Sequence, residues 1–183
     1  MPGGRDERQA GRMLIRRETP ADVGAIRAVT AAAFGKEPGR VPVEAVLVDE
    51  LRADKGWLPG LSLVAVSPAG DVVGHVVCSR GHVGPVPALG LGPLSVRPDH
   101  QGRGVGSALM HAALGAAEAL GEPLVALLGD PGYYSRFGFA AAEEHGVTPP
   151  VPAWGPYFQA RVFDGPAPPP RGLFTYAEPF SRV

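Results

Sequence analysis

Three glycines at alternating positions, Gly102, Gly104 and Gly106, stand in the stretch SVRPDHQGRGVGSALM, directly ahead of an apolar, alanine-rich segment. Glycine loses more backbone freedom on folding than any other residue, so such a turn is costly to order. Something must approach the main chain there, or the chain must bend where no side chain fits. A run of exposed N–H groups that leads into a helix N-terminus is an anion site, and a phosphate is the natural occupant. The free first-turn amides and the helix dipole act in the same direction.

The spacing excludes two familiar phosphate loops. A P-loop needs Lys-Ser/Thr after its last glycine, and Ser107-Ala108 follows Gly106. A dinucleotide loop needs glycine or alanine at its sixth position, where the two registers put Ser107 or Leu109. A third pattern, Q/R-x-x-G-x-G/A, is met by Gln101, Gly104 and Gly106. Ser107 reads as a first-turn residue, since no base is placed beside it by sequence. Cys78 is the only cysteine, so no intrachain disulfide forms, and it lies in an apolar run that suits a buried small side chain. The five histidines have no ligand spacing, so no metal is expected.

The elements around the turn follow from periodicity. Residues 12–19 read as a first strand. A helix over about 20–34 opens with Thr19 as N-cap and Pro20 at its first position. A second amphipathic helix spans 41–54, with Val46, Leu47 and Leu51 inward and Glu44, Asp49, Glu50 and Arg52 outward. Strands at 61–67 and 71–80 flank the turn SPAGD as a hairpin. A strand at 86–98 is expected to bulge near GLGP, because Pro93 removes a ladder donor. The helix of about 104–120 leads to EPLVALLG (122–129), a continuous apolar run as a buried parallel strand would show. DPGYYSRFGF holds a short helix, with Asp130 as N-cap, and the start of another strand. Strands at 157–163 and 172–177 complete the chain. The fold class is α/β, with a mixed, mostly antiparallel sheet of six to seven strands, about four helices and one parallel crossover.

The 183 residues suit one domain over 12–183, with a proline-rich C-terminal extension from about 146. Residues 1–11 read as a disordered lead-in, and the basic residues there have no apolar stretch behind them, unlike a secretory signal. A net charge of −1 gives no global attraction to nucleic acid or to an anionic membrane. No apolar run approaches a membrane span, and a cytoplasmic setting fits the lone cysteine.

With the strand, the V-x-P-x-x-Q-x-x-G-x-G junction and the helix in order, the chain resembles the GNAT superfamily, the acetyl-CoA-dependent N-acetyltransferases. A later Y-x-x-x-G-F block, carried by Tyr134, Gly138 and Phe139 about thirty residues on, strengthens the match. The subgroup it is similar to is the small bacterial YhbS-like set, which carries a comparable LGDP-x-YY-x-x-FGF segment. The resemblance covers residues 12 to about 142 and implies a GNAT fold. It implies acetyl-CoA as cosubstrate, with its pyrophosphate held by the backbone from Gln101 through Gly102, Arg103, Gly104, Val105 and Gly106 to Ser107. On the same grounds pantetheine lies along Leu94, Ser95 and Val96, Tyr133 flanks it, and Tyr134 is the general acid beside the sulfur. The acceptor implied is a small-molecule or peptide amine, and a homodimer is common in proteins of this resemblance.

The general base is open. The family often keeps a glutamate on the strand before the turn, and VPALGLGPLSV has no carboxylate. Glu50, Asp49, His75 and His82 are candidates, and a water chain is another route. Trp57, Trp154 and Tyr157 are candidates for the mouth of the acceptor site. Two rival readings stand beside the N-acetyltransferase: a non-catalytic acyl-CoA-binding module, and an O-acetyltransferase or transferase of longer acyl groups.

Overall fold

The computed structural model describes residues 11–183; most of the lead-in expected over 1–11 lies outside the described residues. Strand β1 (Leu14–Arg17) runs through Thr19 into a 3-10 turn (Pro20–Asp22) and helix α1 (Val23–Phe34). Pro20 suits the first helical position, where its missing N–H would have no partner in any case. Asp22 accepts the Thr19 N–H at 2.7 Å and pairs with Arg16 at 2.7 Å, which fixes the entry angle of the helix. Helix α2 (Val43–Ala53) follows.

Strands β2 (Ser62–Val66), β3 (Val72–Val83) and β4 (Val86–Val96) continue the antiparallel front of the sheet begun by β1. Helix α3 (Val105–Ala119) then crosses over to β5 (Leu124–Leu128), which pairs parallel to β4. The remaining elements are α4 (Pro131–Tyr134), β6 (Ala140–Ala141), β7 (Val147–Thr148), β8 (Phe158–Val162) and β9 (Gly172–Thr175). The strand order is β1-β2-β3-β4-β5-β8-β6, with β9 on β3 and β7 on β9.

The nine strands among the described residues exceed the six to seven expected, because β6 and β7 have two residues each and leave no periodic trace. Strand β9 has a clear reason to be where it is. β3 has 12 residues, but β2 pairs with it only as far as Val77. The rest of that edge is taken by β9, through His82–Thr175 and Val83–Phe174. The proline-rich tail is thereby part of the main sheet.

The two faces of the sheet are covered differently. Val105, Leu109, Met110, Ala113, Leu114 and Ala117 form one buried stripe of α3 and pack on one face, over Val76 and Cys78. On the other face α1 and α2 bring Ile26 and Val48 over Val64, and Leu47 and Leu51 over Val77. Successive residues of β3 thus serve opposite layers, as the pleat requires.

Candidate active site

The site starts where two paired strands part. β4 and β5 are in register only at Leu89–Val125 and Gly90–Ala126. The β3–β4 ladder is irregular between Val76–Leu94 and Cys78–Leu91, which places the expected bulge at Gly92-Pro93. Beyond it β4 follows β3, while β5 stays with β8. The Arg97 N–H donates to Val73 O at 2.8 Å, so Arg97 and, by alternation, Ser95 turn their backbone groups toward β3. Leu94 and Val96 turn theirs the other way, into the gap. The Val96 carbonyl accepts a hydrogen bond from Gln101 Nε2 at 3.0 Å, which ties the strand to the glycine turn. Ser95 is different: its side chain is buried and its Oγ lies 3.0 Å from Thr30 Oγ1 of α1, outside the gap.

At the end of that gap the chain turns through Gly102 (φ +71°) and Gly104 (φ +82°) into α3. Both conformations are ones that L residues rarely adopt, so here glycine is a backbone requirement. Gly104 itself is the N-cap, and the first helical bond runs from Ala108 N–H to Gly104 O at 3.0 Å. The amides of Val105, Gly106 and Ser107 precede that bond and belong to the unpaired first turn. Gly106 has another reason for lacking a side chain. A Cβ there would lie 2.8 Å from the Tyr133 hydroxyl, which rests on the first turn of α3. The space over the third glycine is thus filled by a tyrosine. Arg103 is exposed on the turn.

Tyr133 and Tyr134 stand on α4, capped by Asp130, whose carboxylate accepts the Gly132 N–H at 2.9 Å. The rings meet edge to face at 4.9 Å, and Arg136 lies over Tyr133 at 4.7 Å. Gly129, at the end of β5, makes room for Tyr134: a Cβ there would come within 2.4 Å of its ring. Burial, and secondarily Tyr133, push the Tyr134 hydroxyl up to about 12, so it keeps its proton throughout the neutral range.

Tyr134 lines a cavity of about 1250 Å³ that also takes in Leu91 to Leu94 from β4 and Leu127 and Leu128 from β5. The far walls come from α1 and α2, from Trp154, and from residues 173–183. Arg80 lines the cavity with its charge matched by Glu122, in a two-point pair at 2.7 and 2.8 Å that also joins β3 to the start of β5.

Of the four candidate bases, only His82 lines this cavity. His75 does not line it. It is wholly buried, its Nε2 lies 2.8 Å from Ser62 Oγ, and its Nδ1 has no partner among the described residues. Burial lowers its proton affinity more than neighbouring Glu18 raises it. Glu18 accepts from Ser62 and, at 2.8 and 3.2 Å, from Arg52. Burial alone would raise the Glu18 pKa, but hydrogen bonds with His75, Arg52 and Ser62 outweigh it and bring it to about 2. Asp49 is held by Arg27 and Arg52, and Glu50 by Arg182. Trp57 packs under the Arg52 guanidinium, and neither it nor Tyr157 lines the cavity. Cys78 is buried and its thiol is pushed up to about 12 by burial and by Glu122, so it is inert.

Sequence reasoning missed Arg80, Tyr176 and Phe180 on the cavity wall, and treated Glu44 as an outward residue. The first three carry no local signal, because long-range pairing brings them there. Among the described residues no group of three His, Cys, Asp or Glu side chains is placed to hold a metal ion, and no helix is long and apolar enough to cross a membrane.

A mixed sheet that parts beside a glycine turn and a helix N-terminus has the form of a GNAT acetyltransferase, and the chain belongs to that family: the family model described as "Acetyltransferase (GNAT) domain" matches residues 14–142. The protein is therefore an acyltransferase of that class. It is 36% identical over 173 residues to the "Uncharacterized N-acetyltransferase YhbS" of Escherichia coli (strain K12), across 93% of this chain and 99% of the relative. The crystal structure of YhbS from Escherichia coli in complex with CoA superposes with a TM-score of 0.84 at 34% identity, covering 95% of this chain and 94% of that one. A GNAT family acetyltransferase from Brucella melitensis, in complex with acetyl-CoA, superposes with a TM-score of 0.74 at 37% identity, covering 92% and 98%.

Proposed function

We propose that this chain transfers the acetyl group of acetyl-CoA directly to a primary amine, within a ternary complex, and that residues 12–183 act as one domain in doing so. The parting of β4 from β5 carries the reading, because beyond Gly90 the outward edge of β4 has no strand beside it, and the cavity that Tyr134 lines runs along that edge at Leu91 to Leu94. The complexes of the two relatives with CoA and acetyl-CoA support the choice of cosubstrate. The one-domain reading draws on β9, which ties the tail to β3.

Residues 101–107 hold the pyrophosphate with their amides, and Arg103 adds charge. Leu94 and Val96 offer backbone groups to pantetheine as a neighbouring strand would, while Ser95 holds β4 against α1 from behind. Tyr133 shapes the gap where it crosses α3. The amine loses its first proton to water or to His82 before it attacks the thioester carbonyl. Attack makes the nitrogen strongly acidic. As the C–S bond breaks, Tyr134 gives its phenolic proton to the departing sulfur, and the nitrogen's proton restores the phenol through solvent. A phenol this weakly acidic would not protonate a free thiolate unaided, so the two transfers are coupled. Amide and thiol are the products, with no enzyme-bound acyl group. Tyr134 on the cavity wall weighs against a module that only binds acyl-CoA. The proposed cosubstrate and the buried, inert Cys78 agree with a cytoplasmic setting.

Calorimetry with CoA, paired with thiol release from acetyl-CoA in the presence of amines, tests the reading. The wild type is expected to bind CoA and release thiol only when an amine is present. Gly104→Arg forces a bulky residue into a φ of +82° at the phosphate turn and is expected to weaken CoA at least about tenfold. Equal CoA binding by both proteins would end the assignment of the turn.

A further inference from the structure

The acceptor half of the cavity has a composition that selects among amines. Trp154, Tyr176 and Phe180 come from the C-terminal part of the chain, and Phe34, Val43 and Leu47 face them from α1 and α2. The Tyr176 and Phe180 rings are stacked at 4.4 Å, and Trp154 meets Tyr176 edge to face at 6.4 Å. Such walls take apolar or aromatic bodies, and their ring faces attract a cation.

The charges at the same walls are unevenly matched. Arg80 is neutralised by Glu122, and Glu178 by Arg182. Glu44, half-buried in the first turn of α2, remains; Asp54, at the other end of that helix, accepts the Gly56 N–H at 2.6 Å and stands beside the exposed Lys55. A cationic amine is attracted. A substrate carboxylate is not, because the guanidinium that would clamp it is already filled. A polyhydroxylated amine would leave its hydroxyls without partners against aromatic walls. A long polyamine would find one free carboxylate, Glu44, and aromatic walls beyond it where a row of acidic groups would be needed.

We infer that the acceptor is a small primary amine on an apolar, aromatic body without a carboxylate, its ammonium received by Glu44 and its body by Trp154, Tyr176 and Phe180. This rests on the transferase reading above and names the substrate class of the same site.

The test compares 2-phenylethylamine with phenylalanine, which has the same ring and amine plus a carboxylate, and with spermidine and kanamycin. Thiol release is expected to give 2-phenylethylamine a kcat/KM at least about tenfold above the other three. Glu44→Gln is expected to raise its KM about tenfold with CoA affinity unchanged, and Trp154→Ala to raise KM by a similar factor. A higher kcat/KM for phenylalanine, spermidine or kanamycin, or an unaltered KM in both variants, overturns the inference. Calorimetry of 2-phenylethylamine against the CoA-loaded wild type separates the two claims. Binding that Glu44→Gln weakens, with no turnover, upholds the pocket assignment and sinks the transferase reading. Neither binding nor turnover overturns the pocket assignment itself.

Discussion

Two clusters in this molecule gather titratable groups with displaced proton affinities, and they have opposite relations to solvent space. Around Glu18 a carboxylate, a guanidinium, a hydroxyl and an imidazole close on one another beneath α1 and α2. Around Tyr134 one phenol, surrounded by aromatic rings, reaches the wall of a large cavity. The first cluster has the richer chemistry on paper, with serine, histidine and glutamate in hydrogen-bond reach. It has no room for a substrate, and its hydrogen bonds are spent on joining β1, α2, β2 and β3. Access separates a support from a site here; a displaced pKa occurs at both.

That contrast can be broken experimentally. The largest effect is expected at Tyr134. Tyr134→Phe should lower the rate of thiol release by about 10²- to 10⁴-fold, with CoA affinity intact by calorimetry. A rate near wild type would move the acid elsewhere. Glu18→Ala takes the two-point partner from Arg52, leaving it Asp49 alone, and is expected to cost about 2 kcal/mol in urea denaturation, while kcat well below the unfolding midpoint stays unchanged. A loss of kcat in the folded protein would make the closed cluster part of the chemistry.

Gly129→Ala sharpens the comparison from the other side. It drives a methyl group into the Tyr134 ring, and kcat is expected to fall about ten- to a hundredfold with a small change in stability. The smallest effect is in acid. Glu18 has its pKa lowered from 4.5 to about 2 by folding, so its contribution is complete above pH 4.5 and is lost as the pH falls toward 2. Denaturation curves across that window should steepen in the wild type relative to Glu18→Gln. Identical pH profiles would show that the cluster does not hold its charge.

The glycine turn was legible because a backbone requirement leaves a local mark: Gly102 and Gly104 are needed for their φ, whatever the rest of the chain does. The parallel strand at 124–128 was legible for a similar reason, since burial on both faces produces an unbroken apolar run. The contact that Gly106 makes left no such mark, because the group above it, Tyr133, arrives from α4. The burial of His75 could not be read, because alternation says that it shares a face with Val77 and says nothing of what roofs that face. The cavity's far wall was invisible for the same reason. Tyr176 and Phe180 reach it only because β9 closes the free end of β3, a pairing across some ninety residues of sequence. The role proposed for Tyr134 rests on resemblance to a family, and spacing alone would not have supplied it.

The contact between the Tyr133 hydroxyl and Gly106 has a consequence for how this protein can diverge. The turn that carries the tyrosine pair and the first turn of the long helix share a single volume, filled once. A larger residue at 106 would lift the tyrosine pair, and a smaller one at 133 would open a void beside the phosphate turn. Descendants of this sequence are therefore constrained to change the two positions together, or to leave both alone.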